Sequence, residues 1–409
     1  MATSNQDNDS IRAKFPALKQ LVRGVPLVYL DNAATALKPQ CVIDSVVHTL
    51  STDSANIHRG VHLLAQRATE KYEGAREVVR RFIGAKETAE VIFVRGATEA
   101  INLVAESWGK NHITPGDEIV ITELEHHANI VPWQMLRDKT GAVLTVVPID
   151  AAGEVTLEAL ESVLSPRCKL LALAQVSNAF GTVLPVKALI ARAHAVGAKV
   201  LVDGAQAVAH MPVDVIELDA DFYVFSGHKL YGPDGIGVLY GRREILETMT
   251  PYQTGGDMIR SVTLQSTTFN ELPHRFEAGT PSISGAIGLG AAIEFVLRIG
   301  FDWVMRHEHE LLAIALERLQ AVPGVRIIGM PKIRSGVISF VMDGVHPHDL
   351  GTVLDSMGVA IRTGHHCAQP AIERMGIPAT SRLSLGVFNN EQDVIKLAQA
   401  VDRTREMFS

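Results

Sequence analysis

The sequence Ala220-Asp-Phe-Tyr-Val-Phe-Ser-Gly-His-Lys-Leu-Tyr-Gly-Pro-Asp-Gly-Ile-Gly237 runs from an apolar strand into a glycine-rich turn and on into a second strand, Val238–Tyr240. Lys229 stands where the first strand has just ended. A lysine at the edge of a buried strand is costly unless it has a partner or a covalent role. A Schiff-base lysine meets that condition, because desolvation or a nearby cation frees its amine. Upstream, Lys199-Val-Leu-Val-Asp203-Gly-Ala-Gln206 closes another apolar strand on a carboxylate. Open α/β sheets bind ligands at the carboxyl ends of their strands. A carboxylate there can hold a protonated pyridine nitrogen and make the ring an electron sink. Either residue alone reads as an ordinary turn lysine or turn cap; two neighbouring strands ending in Asp203 and Lys229 are far more specific.

Outward from this pair, short apolar runs alternate with helical patterns. Glu90–Val94, Glu118–Thr122, Val143–Pro148, Leu170–Gln175 and Phe222–Phe225 read as strands, with helices such as Glu99–Trp108 and Val186–Val196 between them. That alternation predicts an α/β fold with a mostly parallel sheet covered on both faces. Beyond Pro281 the texture changes to a long amphipathic stretch, Ile283 to Leu319, then strand-like 336–341, helix-like 348–357 and a helix from Glu391. The expected division is a large domain over 25–296, and a small α+β domain from 1–24 and 297–409.

The chain has 409 residues, 47% of them hydrophobic and 20% charged, which excludes a mainly disordered chain. A net charge of −7 argues against nucleic acid as a partner. The polar start, with no apolar run long enough for a bilayer, predicts no membrane partner and a cytoplasmic protein. Three scattered cysteines, Cys41, Cys168 and Cys367, make neither a disulfide scaffold nor a cysteine zinc site, and no metal is expected.

Four more motifs carry chemistry. Arg95-Gly-Ala-Thr98 sits where a strand turns into a helix, whose free N–H groups suit a phosphate. Glu125-His126-His127-Ala-Asn129 follows a strand, and an imidazole there can stack on an aromatic cofactor. Arg362-Thr-Gly-His365-His366-Cys367-Ala-Gln-Pro370 sets a cysteine among basic residues, which favours the thiolate. Arg382 can hold a carboxylate with two parallel hydrogen bonds. Gly288-Leu-Gly290 resembles a piece of a dinucleotide fingerprint, and His307-Glu-His-Glu310 reads as a solvated helix face.

Together with Arg275-Phe-Glu-Ala-Gly-Thr280-Pro, these segments resemble the pyridoxal-phosphate-dependent cysteine desulfurases of the second, SUF-type class. The likeness runs from about residue 12 to the C-terminus. It implies the aminotransferase-like fold-type I architecture, with a mostly parallel seven-stranded sheet. It also implies roles: Lys229 holds pyridoxal 5′-phosphate as a Schiff base and moves protons, Asp203 binds the pyridine nitrogen, Gln206 the ring hydroxyl, and His126 stacks on the ring. Ala97 (through its backbone), Thr98, Ser226 and His228 take the phosphate. Thr280 reaches the phosphate of the neighbouring subunit, hence a homodimer. Asn178 and Arg382 hold the carboxylate of the substrate L-cysteine, and His58 lines the cleft. Cys367 accepts the sulfur as a persulfide for a SUF-type acceptor protein in iron–sulfur cluster assembly. The same scaffold suits a selenocysteine lyase or cysteine sulfinate desulfinase. A Cys–His acyl hydrolase would leave Asp203, Lys229 and the phosphate loop without purpose, and a non-catalytic sulfur scaffold would not need Lys229.

Overall fold

The computed structural model describes residues 8–408. The first seven residues of the expected small-domain segment lie outside the described residues. A seven-stranded sheet forms the centre, in the spatial order Val91–Val94, Gly237–Gly241, Phe222–Ser226, Lys199–Asp203, Cys168–Ala174, Glu118–Thr122, Val143–Val147. The last five run parallel, and Gly237–Gly241 is antiparallel to both its neighbours.

The continuous apolar runs follow from burial on both faces. Successive side chains of a strand point to opposite faces. Tyr223 and Phe225 accordingly enter one core with Val200 and Val202, while Phe222, Val224 and Leu201 enter another. The long amphipathic stretch is two helices, Ile283–Ile299 and Phe301–Gln320, meeting at 75°. Gly300, at φ +86°, makes the break. Gly288 and Gly290 serve packing: a Cβ at Gly288 would lie 2.6 Å from Pro233, and one at Gly290 3.2 Å from Ala75. Among the described residues no single helix is long and apolar enough to cross a membrane.

The small domain is an antiparallel sheet in the order Val325–Ile328, Val337–Met342, Thr380–Ser384, Arg362–Gly364. Helices Phe301–Gln320, Pro347–Ser356 and Glu391–Phe408 cover it, burying Leu311, Phe340, Leu354 and Leu397. Val28 and Leu30 join that core, and Val28–Tyr29 pairs parallel with Val359–Ala360. Residues just beyond the expected boundary at 24 thus pack with the small sheet. One surface reading is corrected: Glu308 is buried and bonds the buried His210 Nδ1 at 2.7 Å, so the 307–310 segment is not a wholly solvated face.

Candidate active site

The parallel strands point their carboxyl ends at the small domain, and a cleft of about 150 Å³ lies there. Its lining includes Ala97, Thr98, His126, Asn178, Asp203, Ser226, His228, Lys229, Arg382 and Cys367, ten of the residues expected from sequence. Asp203 ends its strand buried, and its Oδ1 accepts the Ala205 N–H at 2.9 Å. Burial raises the Asp203 carboxyl, opposed by the Lys229 cation. Burial lowers the Lys229 amine, opposed by Asp203. Lys229 therefore reaches its neutral, nucleophilic form more readily than a surface lysine.

The anion end is built by two close backbones. A Cβ at Gly237 would lie 2.5 Å from Gly96 Cα, which is why the strand returning from Lys229 begins with glycine. The helix from Ala97 starts at this contact, and Ser226 Oγ accepts the Ala97 N–H at 2.8 Å. Thr98, Ser226 and His228 also line an adjoining pocket of about 570 Å³. His126 Nδ1 accepts the Ala128 N–H at 3.0 Å, fixing the ring. Burial, and then the Lys229 charge, pushes His126 down to about 3, so the imidazole is neutral.

On the facing side, Arg382 Nη1 donates to Asn178 O at 2.9 Å and Nη2 to Asp31 Oδ1 at 3.1 Å. Among the described residues its buried Nε–H has no hydrogen-bond partner. Burial lowers the guanidinium to about 10, opposed by Asp31. Cys367 and His366 both adopt left-handed backbone, φ 57° and 54°, uncommon for residues other than glycine. Asn178 Nδ2 donates to His366 O at 2.6 Å, and His366 Nε2 pairs with Thr380 Oγ1 at 2.7 Å. Burial pushes His366 down to about 2. Of the basic neighbours expected to act on Cys367, Arg362 and His366 line the cleft with it, and His366 is neutral. Lys229 and Arg382 face the thiol across the same cleft.

Three expected residues lie outside this lining. Gln206 is buried nearby, with Nε2 donating to Ala33 O at 2.9 Å. Thr280 is exposed on a separate pocket of about 440 Å³, shared with Arg95, Glu99 and Gly235. His58 sits with Glu73, its Nε2 2.9 Å from Glu73 Oε1, and with His274. Asp31 was not anticipated, because only the pairing of small-domain and N-terminal segments brings it to Arg382.

The chain matches the class-V aminotransferase family over residues 28–397. It is 51% identical over 400 residues to a probable cysteine desulfurase of Mycolicibacterium paratuberculosis, covering 98% of this chain and 58% of that longer relative. With a probable cysteine desulfurase of Vibrio cholerae it shares 49% identity over 399 residues, 98% of each chain. The crystal structure of the cysteine desulfurase CsdA of Escherichia coli superposes with a TM-score of 0.92 at 40% identity, covering 99% of this chain and 100% of that one. On the match over residues 28–397, the chain belongs to the class-V aminotransferases. Within them it falls among the cysteine desulfurases.

The donor set fits pyridoxal 5′-phosphate. A helix start beside Ser226 and His228 suits the phosphate, the Asp203 carboxylate suits a protonated ring nitrogen, and the recessed Lys229 amine suits an aldehyde.

Proposed function

We propose that the protein converts L-cysteine to L-alanine and passes the sulfur, as a persulfide on Cys367, to an acceptor protein of the SUF type for iron–sulfur cluster assembly. The observation that carries this is the convergence of Asp203, Lys229, Arg382 and Cys367 on one cleft from two domains. Bound pyridoxal phosphate supplies an electron sink that stabilises negative charge at the substrate Cα. Asp203 would keep the ring nitrogen protonated, His126 would cover the ring face, and Gln206, buried nearby, would reach the ring hydroxyl. Thr98, Ser226, His228 and the backbone at Ala97 hold the phosphate. Lys229 Nζ takes the Cα proton and returns one to the carbon skeleton. Arg382, seated by Asp31 and Asn178, binds the substrate carboxylate. Cys367 Sγ, as thiolate, attacks the substrate sulfur: an S–S bond forms as the C–S bond breaks, and the electron pair stays with carbon.

The working unit in this reading is a homodimer. Thr280 and His58 both stand outside the cleft of their own chain, where a second copy would use them. Near His58 and along the hairpin 259–269, Val61, Leu63, Val262 and Leu264 are exposed apolar side chains. The functional domains are proposed as the sheet-bearing unit and the small unit, with the cleft between them.

The test is a single turnover with L-cysteine followed by mass spectrometry. One sulfur added to the Cys367 peptide is expected. Sulfur on Cys41 or Cys168, or none, overturns the assignment. Comparing L-cysteine with L-selenocysteine and L-cysteine sulfinate ranks the substrates, and sedimentation reads the dimer.

A further inference from the structure

The turn that carries His126 also reaches the sulfur-accepting loop. Glu125 anchors it: the buried carboxyl accepts from Thr122 Oγ1 at 2.6 Å, Asn129 Nδ2 at 2.6 Å and the Ala174 N–H at 3.0 Å. Asn129 Oδ1 in turn accepts the indole N–H of Trp133 at 2.9 Å. The turn is therefore tied to two sheet strands and a helix.

From this anchored turn, His127 makes two bonds to the small domain. Its backbone N–H donates to Cys367 O at 2.7 Å. Its Nε2 accepts the Gln369 N–H at 3.1 Å. Gln369 opens the helix Gln369–Arg374, and Ala368 before it offers no side-chain cap. The first N–H groups of a helix need an acceptor. Here an imidazole from the other domain supplies one, two residues after the nucleophile. Accepting at Nε2 requires a neutral ring, and burial together with His365 holds His127 below its ordinary range.

We propose that His127 is a positioning residue for Cys367. By capping the helix after the cysteine, the imidazole keeps Cys367 O on the His127 N–H. That holds the left-handed His366–Cys367 backbone in the conformation that lines the cleft with the thiol. A loop freed of this clamp relaxes toward ordinary backbone and presents the thiol correctly only part of the time. Effective catalysis depends on holding the reacting atoms in an attack geometry.

This inference rests on Cys367 being the sulfur acceptor, and the experiment separates the two. His127→Ala and His127→Gln holoenzymes are compared with wild type in single turnovers with L-cysteine, with persulfide on Cys367 quantified. Loss of the one side-chain cap in His127→Ala is expected to slow transfer about tenfold, leaving KM within about twofold. His127→Gln, whose Oε1 can accept the same N–H, is expected to recover most of the rate. Hydrogen exchange at the Gln369 amide is expected to be slow in wild type and in the Gln variant, and about tenfold faster in the Ala variant. An unprotected Gln369 amide in wild type overturns the clamp even if the Ala variant fails to fold. Equal transfer rates in wild type and His127→Ala also overturn it, as does equal loss in the Ala and Gln variants. No sulfur on Cys367 in wild type overturns the proposed function instead.

Discussion

Lys229 and Cys367 face one cleft from two differently built regions. Lys229 follows Phe222–Ser226, a strand buried along its whole length in the middle of the large sheet. Its place is set by the sheet. Cys367 follows the three-residue strand Arg362–Gly364 at the edge of the small sheet, on backbone with positive φ. Its place is set by bonds from the other domain: Asn178 to His366 O, and the His127 N–H to Cys367 O. The cofactor end is thus rigid by burial. The Cys367 end is held by a few separate hydrogen bonds, each open to competition; in the proposed function, that suits a group that hands its sulfur to an acceptor.

The largest effect should come from the rigid end. Lys229→Ala removes both the covalent amine and the proton carrier, and turnover should fall by roughly 10³-fold or more. Its circular dichroism spectrum should match wild type while the cofactor's absorbance band shifts. Retained turnover would break the comparison. Cys367→Ala should come next. Sulfide release falls about 10²-fold, on the order of the loss of a positioned nucleophile. Cofactor content, read by absorbance, should be unchanged because no phosphate- or ring-facing residue is touched.

Arg382→Lys sharpens the link between the two ends. A lysine cannot serve Asn178 O, Asp31 and a substrate carboxylate in one fork. KM for L-cysteine should rise about tenfold or more with a smaller change in kcat, read by steady-state kinetics. The smallest effect concerns stability. Glu125 is pushed up to about 8 by burial, so the folded state holds a proton that the unfolded state has released. Stability should fall as pH rises from 6.5 to 8, by at most about 2 kcal/mol from this group. Denaturant unfolding should show that slope reduced in Glu125→Gln. Below pH 6.5 the sign reverses. His126, His228 and His366 are held down at about 3, 4 and 2 by burial, and stability is lost as pH falls and the unfolded state takes up their protons.

The same contrast governs what could be read from sequence. Asp203, Lys229 and Thr98 were legible because each stands where a strand ends, and strand ends of an open α/β sheet converge. The sheet itself follows from the spacing of the apolar runs. Asp31, and His127 as a partner of Gln369, were not legible, since each pairing joins residues more than 200 positions apart. Nothing local marks Glu308 as buried; only His210 does. The break at Gly300 is not marked in the sequence by a proline or a polar loop, since apolar residues continue on both sides of it.

The strand ending at the Gly96 turn and the strand ending at Lys229 are separated by Gly237–Gly241, while Asp203 lies on the next strand beyond Lys229. Neighbouring strands are about 4.8 Å apart whatever their sequence. The sheet is therefore a ruler: it spaces the Gly96 turn, Lys229 and Asp203, the anchor points of the proposed site for an anion, an aldehyde and a ring nitrogen, in whole strand widths. Lengthening the loops at the opposite edge leaves those intervals untouched, so the architecture can take on new connections there while still measuring out the same ligand.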